Sequence, residues 1–317
     1  MKAHNILETI GNTPLIQFQK ISRHLEASLY GKCEFFNPGG SVKDRIGFSM
    51  VMQAQKDKLI SPGDTLIEPS SGNAGIGIAL AGVVLGYKVI IVMPEKMSHE
   101  KEVTLQALGA EIIRTPTEVS FEDPKSHISV AKKLQKKLPR SYILDQYSNP
   151  ANPMAHYEGT AVEILKDLDN QVDMVVIGAG TGGTLTGLSR RIKKTCPDCK
   201  IIGVDPVGSI LAGEEEIQNY EVEGIGYDFI PDTLDKSLVT KWIKTSDQTS
   251  FEMALEVIRK EGLLCGGSSG AAVWAALQEA PRLKKGQNCV VILPDGIRNY
   301  MSKFLTPSWL KEKNLWN

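Results

Sequence analysis

Residues 172–184 read VDMVVIGAGTGGT, and this stretch decides the fold that the sequence predicts. An apolar, β-branched run ends in a loop with four glycines and two threonines, and a helical pattern follows. Such a junction presents backbone N–H groups at a helix N-terminus, where a phosphate or a carboxylate binds. We therefore predict a strand–loop–helix unit with an anion site at the carboxyl end of the strand.

The same loop also fits a dinucleotide-binding fingerprint. Gly178, Gly180 and Gly183 satisfy G-x-G-x-x-G, and Asp205 follows Gly183 by 22 residues. This spacing is typical of the acidic side chain that binds the ribose of NAD. A nicotinamide-dependent oxidoreductase is therefore one hypothesis. It leaves the other glycine-rich loops of the chain without a role.

Three more loops of small residues precede predicted helices. Residues 37–45 read NPGGSVKDR, residues 68–75 read EPSSGNAG and residues 264–270 read LCGGSSG. An ordinary helix cap is the alternative explanation for each, because Ser, Asn and Gly favour that position. Lys43 differs, because the positive end of the helix dipole favours its neutral amine, which Schiff-base chemistry needs. A solvated lysine paired with an acid is the alternative.

Short β-branched runs alternate with longer helical stretches. The predicted strands cover residues 65–68, 88–92, 111–114, 142–145, 174–177, 200–204 and 289–293. The predicted helices cover residues 42–55, 74–84, 100–108, 128–137, 153–168, 184–194, 250–260 and 271–279. This alternation predicts an α/β fold with mostly parallel sheets. Residues 205–242 lack a strong period and predict irregular structure over the site.

Composition excludes several classes of function. Lys and Arg number 36 and Asp and Glu 37 among 317 residues, so the net charge of −1 predicts no nucleic-acid partner. No apolar run is long enough for a membrane helix, and the N-terminus lacks a signal-peptide pattern, so we predict a cytoplasmic protein. The five histidines are scattered, and no metal site is predicted. Cys196 and Cys199 form a Cys-x-x-Cys that is either two plain loop thiols or a thiol–disulfide switch.

In this order, the four loops resemble those of the fold-type-II enzymes that use pyridoxal 5'-phosphate (PLP). Within that group the chain resembles the catalytic core of the cystathionine β-synthase family, from residue 10 to residue 301. The most specific segments are 32–37 (KCEFFN), 143–147 (ILDQY) and 220–231 (YEVEGIGYDFIP). The resemblance implies a two-domain α/β protein similar to the β subunit of tryptophan synthase, with PLP in the cleft between the domains.

The resemblance also implies individual roles. Lys43 would form the internal aldimine with PLP and move the substrate proton, Asn73 would bind the ring hydroxyl, and Ser268 would meet the ring nitrogen. The residues implied to hold the phosphate are Gly180, Thr181, Gly182, Gly183 and Thr184. The residues implied to hold the substrate carboxylate are Ser70, Ser71, Gly72 and Gln146, and those implied to line the second-substrate pocket are Tyr147, Gly224 and Tyr227.

The partner at the ring nitrogen bears on the reaction. A neutral serine does not enforce protonation there, so the electron sink is weaker and loss of a β-leaving group is favoured. The implied reaction is β-replacement: L-serine loses water to give an aminoacrylate, and L-homocysteine adds to form L-cystathionine. Cysteine as first substrate would release hydrogen sulfide through the same intermediate.

The sequence leaves other activities as alternatives. Cysteine synthase, which uses O-acetylserine and sulfide, and a cysteine-consuming β-lyase are alternatives, and a catalytically weak PLP-binding sensor is a third. Ala74 stands where the family usually has Thr, so we expect weaker or altered amino-acid binding but not loss of PLP.

The resemblance further implies the organisation of the chain. The smaller domain would comprise residues 35–148 with 1–12, and the larger domain residues 149–317 with 13–34. A homodimer is expected. No haem and no response to adenosylmethionine are expected, because the segments that carry them in the family have no counterpart in this sequence.

Overall fold

The computed structural model describes residues 2–70, 72–95, 97–116, 119, 122–213 and 216–315. Ser71, which the sequence assigned to the substrate carboxylate, lies outside the described residues. Two sheets of mostly parallel strands organise the chain, with helices between successive strands. This arrangement confirms the predicted α/β class.

The strands alternate with helices along most of the chain. The strands are β1 (Leu15–Gln17), β2 (Ser28–Cys33), β3 (Thr65–Pro69), β4 (Lys88–Pro94), β5 (Glu111–Thr115), β6 (Ser141–Ile143), β7 (Met174–Gly178), β8 (Lys200–Pro206), β9 (Lys241–Thr245) and β10 (Asn288–Leu293). The α-helices are α1 (Lys43–Lys56), α2 (Asn73–Leu85), α3 (His99–Ala107), α4 (His127–Lys137), α5 (Ala151–Ala155), α6 (Ala161–Asp167), α7 (Gly183–Thr195), α8 (Asp247–Glu261), α9 (Gly267–Glu279) and α10 (Pro307–Glu312). In the part of the chain described here, no helix combines the length and the apolar character that crossing a bilayer requires.

The two sheets differ in size and in strand order. The smaller sheet has the order β5-β4-β3-β6, and all its strands are parallel. The larger sheet has the order β1-β2-β10-β7-β8-β9, and only the β1–β2 pair is antiparallel. Because parallel strands end at one edge, the loops after β3, β7 and β10 gather where ligands bind in such folds.

All seven predicted strands are present, with ends that differ by no more than two residues. The sequence did not predict β1, β2 and β9. Lys32 interrupts the apolar pattern of β2 (SLYGKC), so this stretch was not predicted as a strand. Lys32 is nevertheless fully buried, and its Nζ lies 2.8 Å from Glu163 Oε2. β9 forms the end of the stretch 205–242, which is otherwise mostly irregular, as predicted.

The predicted helix 153–168 is interrupted. It begins earlier, as α5, and α6 follows only after a π-helical turn at His156–Thr160. Such turns insert one residue into the helical ladder and shift the faces on either side, and they often occur at functional sites.

Helices α1 and α2 cross at two glycines, which sets the spacing of the loops that precede them. A Cβ built on Gly47 would overlap the carbonyl carbon of Gly77, and a Cβ built on Gly77 would lie 2.6 Å from the backbone oxygen of Lys43. No side chain fits in this crossing. The close approach brings the start of α1, with Lys43, against the first turns of α2, which begins at Asn73.

A buried ion network ties the early strands to helices from both halves of the chain. Arg45 on α1 binds Glu34 through Nε and Nη2, at 2.7 and 2.8 Å, and Glu163 on α6 through Nη1 and Nη2, at 2.7 and 2.8 Å. Lys32 on β2 reaches the same Glu163. The domain limits stay a prediction. The pairing of β2 with β10 supports the assignment of residues 13–34 to the larger unit.

Candidate functional site

The four glycine-rich loops converge on one cavity. Lys43 comes from the first loop, Asn73 from the second and Ser268 from the fourth. The third loop and the segment after residue 222 contribute five further predicted residues, which are Gly180, Thr181, Gly182, Thr184 and Gly224. Most of the candidate residues predicted from the sequence are therefore brought together.

Lys43 begins α1, and its amine lies inside the cavity, 3.3 Å from Thr181 Oγ1. Burial lowers the pKa of this amine to about 8. The sequence predicted a lowered pKa from the helix dipole, but desolvation is the cause here. Ser41 precedes the capping residue Val42, and its Oγ accepts a hydrogen bond from Lys43 N at 3.2 Å.

The loop before α7 is closed to side chains on several sides. A Cβ on Gly180 would lie 2.5 Å from the carbonyl oxygen of Gly224, and a Cβ on Gly183 would overlap Asn152 Oδ1. Gly182 has φ +86°, a left-handed conformation that favours glycine, and a Cβ there would overlap Leu234. The glycines are therefore required by close packing, and Gly180 and Gly182 also line the cavity at the N-terminus of a 13-residue helix, which is a ready anion site.

The loop before α2 is held by a buried hydroxyl. Ser70 is fully buried, and its Oγ accepts hydrogen bonds from Gly72 N at 3.1 Å and Gly75 N at 3.0 Å. Ser70 therefore caps the helix itself and can offer only its hydroxyl proton to a ligand. Gly72 has φ +117°, and a Cβ there would lie 2.5 Å from Lys101 Cδ.

Asn73 is held in place by an acid of the C-terminal segment. Its Nδ2 donates to Asp295 Oδ2 at 2.8 Å, and its Oδ1 accepts from Asn299 Nδ2 at 3.1 Å. Tyr300 OH donates to the same Asp295 oxygen at 2.6 Å. These bonds fix the amide with its nitrogen toward Asp295, which also lines the cavity.

Gln146 is positioned by Glu68, which is fully buried. The backbone nitrogens of Asp145 and Gln146 each donate to one carboxyl oxygen of Glu68, both at 3.0 Å. Burial raises the pKa of Glu68 to about 8 despite these bonds. Asp145 has φ +56°, which turns the chain sharply after β6 and brings Gln146 Nε2 to Pro69 O at 3.1 Å.

An aromatic cluster borders the site on the side of β6. Tyr147 packs edge-on against Tyr227, with ring centroids 5.5 Å apart, and both contact Phe229. Tyr147 OH lies 3.5 Å from His127 Nε2. Tyr147 lines a neighbouring cavity of about 270 Å³ rather than the one that contains Lys43, and Tyr227 lines a smaller one beside Gly224.

The dinucleotide hypothesis depends on a free Asp205, and the structure contradicts it. Asp205 is fully buried, and its Oδ2 accepts from Ala212 N at 2.9 Å and lies 2.9 Å from Lys244 Nζ. A carboxylate used in this way is not available to a ribose.

The Cys-x-x-Cys lies away from the site, beside an open groove of about 1000 Å³. Both thiols are free. Burial raises the pKa of Cys199 to about 12, which disfavours the thiolate that disulfide exchange requires. The interpretation as two plain loop thiols is the better supported.

The geometry of the site agrees with comparisons to known proteins. The model of the family described as "Pyridoxal-phosphate dependent enzyme" matches residues 6–295. The chain belongs to this family. The enzyme therefore uses PLP, and the resemblance inferred from its loops is confirmed.

Its relatives include proteins named cystathionine beta-synthase. The protein from Dictyostelium discoideum is 59% identical over 310 residues, which cover 96% of this chain and 62% of that protein. The protein from Rattus norvegicus is 57% identical over 316 residues, which cover 98% of this chain and 56% of that protein. The enzyme thus spans somewhat more than half the length of these relatives.

Solved structures are similar over their whole length. An O-acetylserine dependent cystathionine beta-synthase from Helicobacter pylori has a TM-score of 0.90 and 40% identity, covering 96% of this chain and 98% of that one. A hydrogen sulfide-producing enzyme from Fusobacterium nucleatum has a TM-score of 0.90 and 37% identity, covering 94% and 100%. These matches confirm the fold-type-II architecture.

The residues of the cavity fit PLP chemically. An amine of lowered pKa suits the aldehyde of the cofactor, an amide and a serine hydroxyl suit the two polar edges of the pyridine ring, and a glycine-lined helix N-terminus suits the phosphate. The loop at the N-terminus of α7, whose residues Gly180, Thr181, Gly182 and Thr184 line the cavity, is the structural observation that supports this fit.

Sequence analysis did not find several side chains that contact the predicted site residues. Asp295 and Asn299 hold Asn73, Asn152 and His156 contact Thr181 and Thr184, and His127 lies beside Tyr147. None belongs to a local motif, because each acts on a residue from another loop. For His156 the only sequence signal was its place in the predicted helix 153–168.

Proposed function

We propose that the enzyme catalyses β-replacement, converting L-serine and L-homocysteine into L-cystathionine and water. The buried Lys43 amine of lowered pKa, enclosed with Ser268 and the glycine loop, is the observation that carries this proposal. The relatives named cystathionine beta-synthase support the choice of substrates.

The proposed cofactor contacts follow the positions of the side chains in the cavity. Lys43 holds the cofactor through Nζ, Asn73 binds the ring hydroxyl, and Ser268 binds the ring nitrogen. The phosphate lies at the start of α7, against Gly180, Thr181, Gly182, Gly183 and Thr184. Bound PLP supplies a sink for the electron pair released at the α-carbon of the substrate.

The proposed substrate contacts use the loops that face this cavity. Ser71, Gly72 and Gln146 bind the α-carboxylate. The hydroxyl of Ser70 donates a further hydrogen bond to it, while the Ser70 oxygen holds the loop. Tyr147, Gly224 and Tyr227 line the path of the second substrate.

Lys43 then carries the protons of the reaction. Its amine takes the α-proton of serine, and the β-hydroxyl leaves as water with that proton. The thiol of homocysteine forms a bond from sulfur to the β-carbon, and its proton returns through Lys43 to the α-carbon. The neutral Ser268 leaves the electron sink weak, which favours departure of the β-substituent over other fates of the substrate.

A spectral titration of the purified holoenzyme tests the proposal. Adding L-serine should shift the visible absorption band of the cofactor, and L-homocysteine should restore the band as L-cystathionine accumulates. A band that serine leaves unmoved, but that O-acetylserine or cysteine shifts, would reject serine as the substrate. A holoenzyme that no amino acid shifts would favour the sensor hypothesis.

The second candidate function is β-replacement with a different leaving group on the first substrate, and Ala74 favours it. Ala74 is buried against apolar neighbours where the family usually has a threonine hydroxyl. The names of the similar structures include an O-acetylserine dependent synthase and a hydrogen sulfide-producing enzyme.

We expect Ala74→Thr to lower the KM for L-serine about 3- to 10-fold, because the family resemblance implies that the threonine hydroxyl at this position lies near the substrate carboxylate. Ala74→Val is the matched control, since it has the same shape without the hydroxyl. Steady-state kinetics on both variants would measure the effect. An equal change of the KM in Ala74→Thr and Ala74→Val would mean that the shape of the side chain, and not its hydrogen bond, is responsible.

The lowered pKa of Lys43 predicts a pH dependence of cofactor capture. Only the neutral amine attacks the aldehyde, and with a pKa of about 8 the neutral fraction grows about tenfold per pH unit below pH 8. We therefore expect the rate at which PLP-free chain captures PLP to rise by that factor from pH 6 to pH 7 and to level off above pH 8. Stopped-flow absorbance would measure it. A rise that continues to pH 10 would indicate an unperturbed lysine.

We propose that the enzyme is a cytoplasmic homodimer. The five free cysteines support a reducing compartment. Met52 is exposed and borders an open groove with Ile10, Phe48 and Ala155, a surface of mixed apolar and polar side chains that a second copy would cover. Sedimentation analysis would reveal a dimer; a monomer at micromolar concentration would reject this assignment.

A further inference from the structure

The segment 151–160, which comprises α5 and the π-helical turn, packs directly behind the glycine loop. A Cβ on Gly183 would overlap Asn152 Oδ1, and a Cβ on Gly187 would overlap the carbonyl oxygen of Pro153. The start of α7 therefore lies against this segment with no side chain between them. Asn152 and His156, one helical turn apart, face the two threonines of the loop.

Asn152 has only one arrangement of its amide that satisfies its neighbours. Its Nδ2 donates to the carbonyl oxygen of Gln146 at 2.7 Å and to Thr181 Oγ1 at 3.0 Å. A carbonyl can only accept, so the nitrogen must lie on that side. Thr181 Oγ1 thus receives hydrogen bonds from Asn152 and, at 3.3 Å, from Lys43 Nζ, and its own proton is left to be donated elsewhere.

The imidazole of His156 has the same effect on Thr184. Nδ1 lies 3.0 Å from Thr160 Oγ1, and Nε2 lies 3.1 Å from Thr184 Oγ1. Thr160 is fully buried, and within the described residues its hydroxyl contacts no polar atom besides Nδ1. Since a buried hydroxyl proton needs an acceptor, Thr160 donates to Nδ1, and the ring proton lies on Nε2.

Binding of a second proton by the imidazole of His156, which would give the ring a positive charge, is disfavoured. Burial and the nearby charges of Arg45 and Lys43 lower the pKa of His156 well below its usual value. A neutral ring with its proton on Nε2 donates to Thr184 Oγ1. The Thr184 hydroxyl, which lines the cavity, therefore keeps its own proton for a ligand.

We propose that Asn152 and His156 are positioning residues that fill the acceptor sites of Thr181 and Thr184 and so direct both hydroxyl protons onto the cofactor phosphate. The inference rests on the proposed location of that phosphate at the glycine loop. Each threonine then gives a hydrogen bond to a charged acceptor, in addition to the backbone N–H groups of α7.

Two substitutions of His156 separate this role from simple support. The amide nitrogen of Gln reaches the place of Nε2, whereas that of Asn reaches only the place of Nδ1. We expect His156→Asn to weaken PLP binding about 10- to 100-fold, because a charge-assisted hydrogen bond is lost, and His156→Gln to change it less than about threefold. Both should leave the binding of pyridoxal, which has no phosphate, unchanged.

Thr184→Val supplies the partner variant. It should weaken PLP binding to the same extent as His156→Asn, and the double variant should be no weaker than either, because both remove one interaction. Equilibrium titration of each full-length chain with PLP and with pyridoxal would measure this. A loss in Thr184→Val but none in His156→Asn would leave the phosphate location intact and overturn the role of His156. Equal losses for PLP and pyridoxal would also overturn it.

A measurement on the unaltered holoenzyme does not depend on the folding of any variant. Nitrogen-15 NMR of histidine-labelled protein reports which ring nitrogen carries the proton. A proton on Nε2 of His156 is the expected result, and a proton on Nδ1 would overturn the inference.

Discussion

Lys43→Ala is expected to abolish the visible absorption band of the lysine-bound cofactor and to lower turnover with L-serine and L-homocysteine by at least about 10³-fold. In the proposed function one amine both holds the cofactor and carries the substrate protons, so a single substitution would remove both roles. Its lowered pKa keeps a useful neutral fraction near neutral pH. The absorption spectrum and steady-state production of cystathionine would measure the two losses.

The matched control is Lys56→Ala, at the other end of the same helix. Lys56 is exposed and lies in the last turn of α1. It should leave both the band and the turnover unchanged. A Lys43→Ala protein that keeps its band and its activity would remove the basis of the proposed function.

Arg45→Met is expected to lower the free energy of unfolding by about 3–5 kcal/mol, because it leaves buried carboxylates without their cation. Arg45 is 6% exposed, and Glu34, its partner on the early segment, is fully buried. Met keeps much of the apolar stem, so lost packing is a small part of the effect. Chemical denaturation at a fixed PLP concentration would measure the change.

Arg140→Met is the control for an ion pair at the surface. Arg140 is 68% exposed in its side chain and pairs with Asp64 at 2.6 Å. Exposed pairs of this kind stabilise by at most about 1 kcal/mol. If Arg45→Met costs no more than Arg140→Met, the buried network does not hold the early segment to α1 and α6. Adding Glu34→Gln to Arg45→Met should recover part of the loss, since the uncompensated charge is then removed.

The two predictions concern neighbouring residues of one loop and helix. Lys43 faces the cavity, and Arg45 faces the opposite way, into the ion network beneath it. Catalytic chemistry and stability are thus assigned to different faces of the first turn of α1. An activity loss in Lys43→Ala without a large loss of stability would agree with this division.

Local signals in the sequence were sufficient to predict the glycine-rich loops and the alternation of strands and helices. A glycine of positive φ such as Gly182 and a capping serine such as Ser70 act on their own neighbours, so their patterns can be recognised without the fold. The same holds for β7 and β10, whose apolar runs are continuous because both faces are buried.

Other features depend on partners that are distant along the chain. β2 contains a buried lysine, Lys32, whose Nζ pairs with Glu163 on α6 and donates to Thr13 O, and no local pattern indicates these partners. The same is true of His156, whose proton is placed by Thr160 on one side and by Thr184 of another helix on the other. The fingerprint G-x-G-x-x-G was ambiguous until Asp205 was found bound to Ala212 and Lys244.

The sequence by itself therefore determined the α/β class, the glycine-lined cradle and the lysine that serves it, because backbone geometry and helix capping are short-range effects. Only the tertiary structure decided which acids and imidazoles support those loops, and which of two fingerprints the third loop belongs to. Hydrogen bonds and ion pairs join groups through space, and the fold alone brings Asp295 to Asn73 and His156 to Thr184.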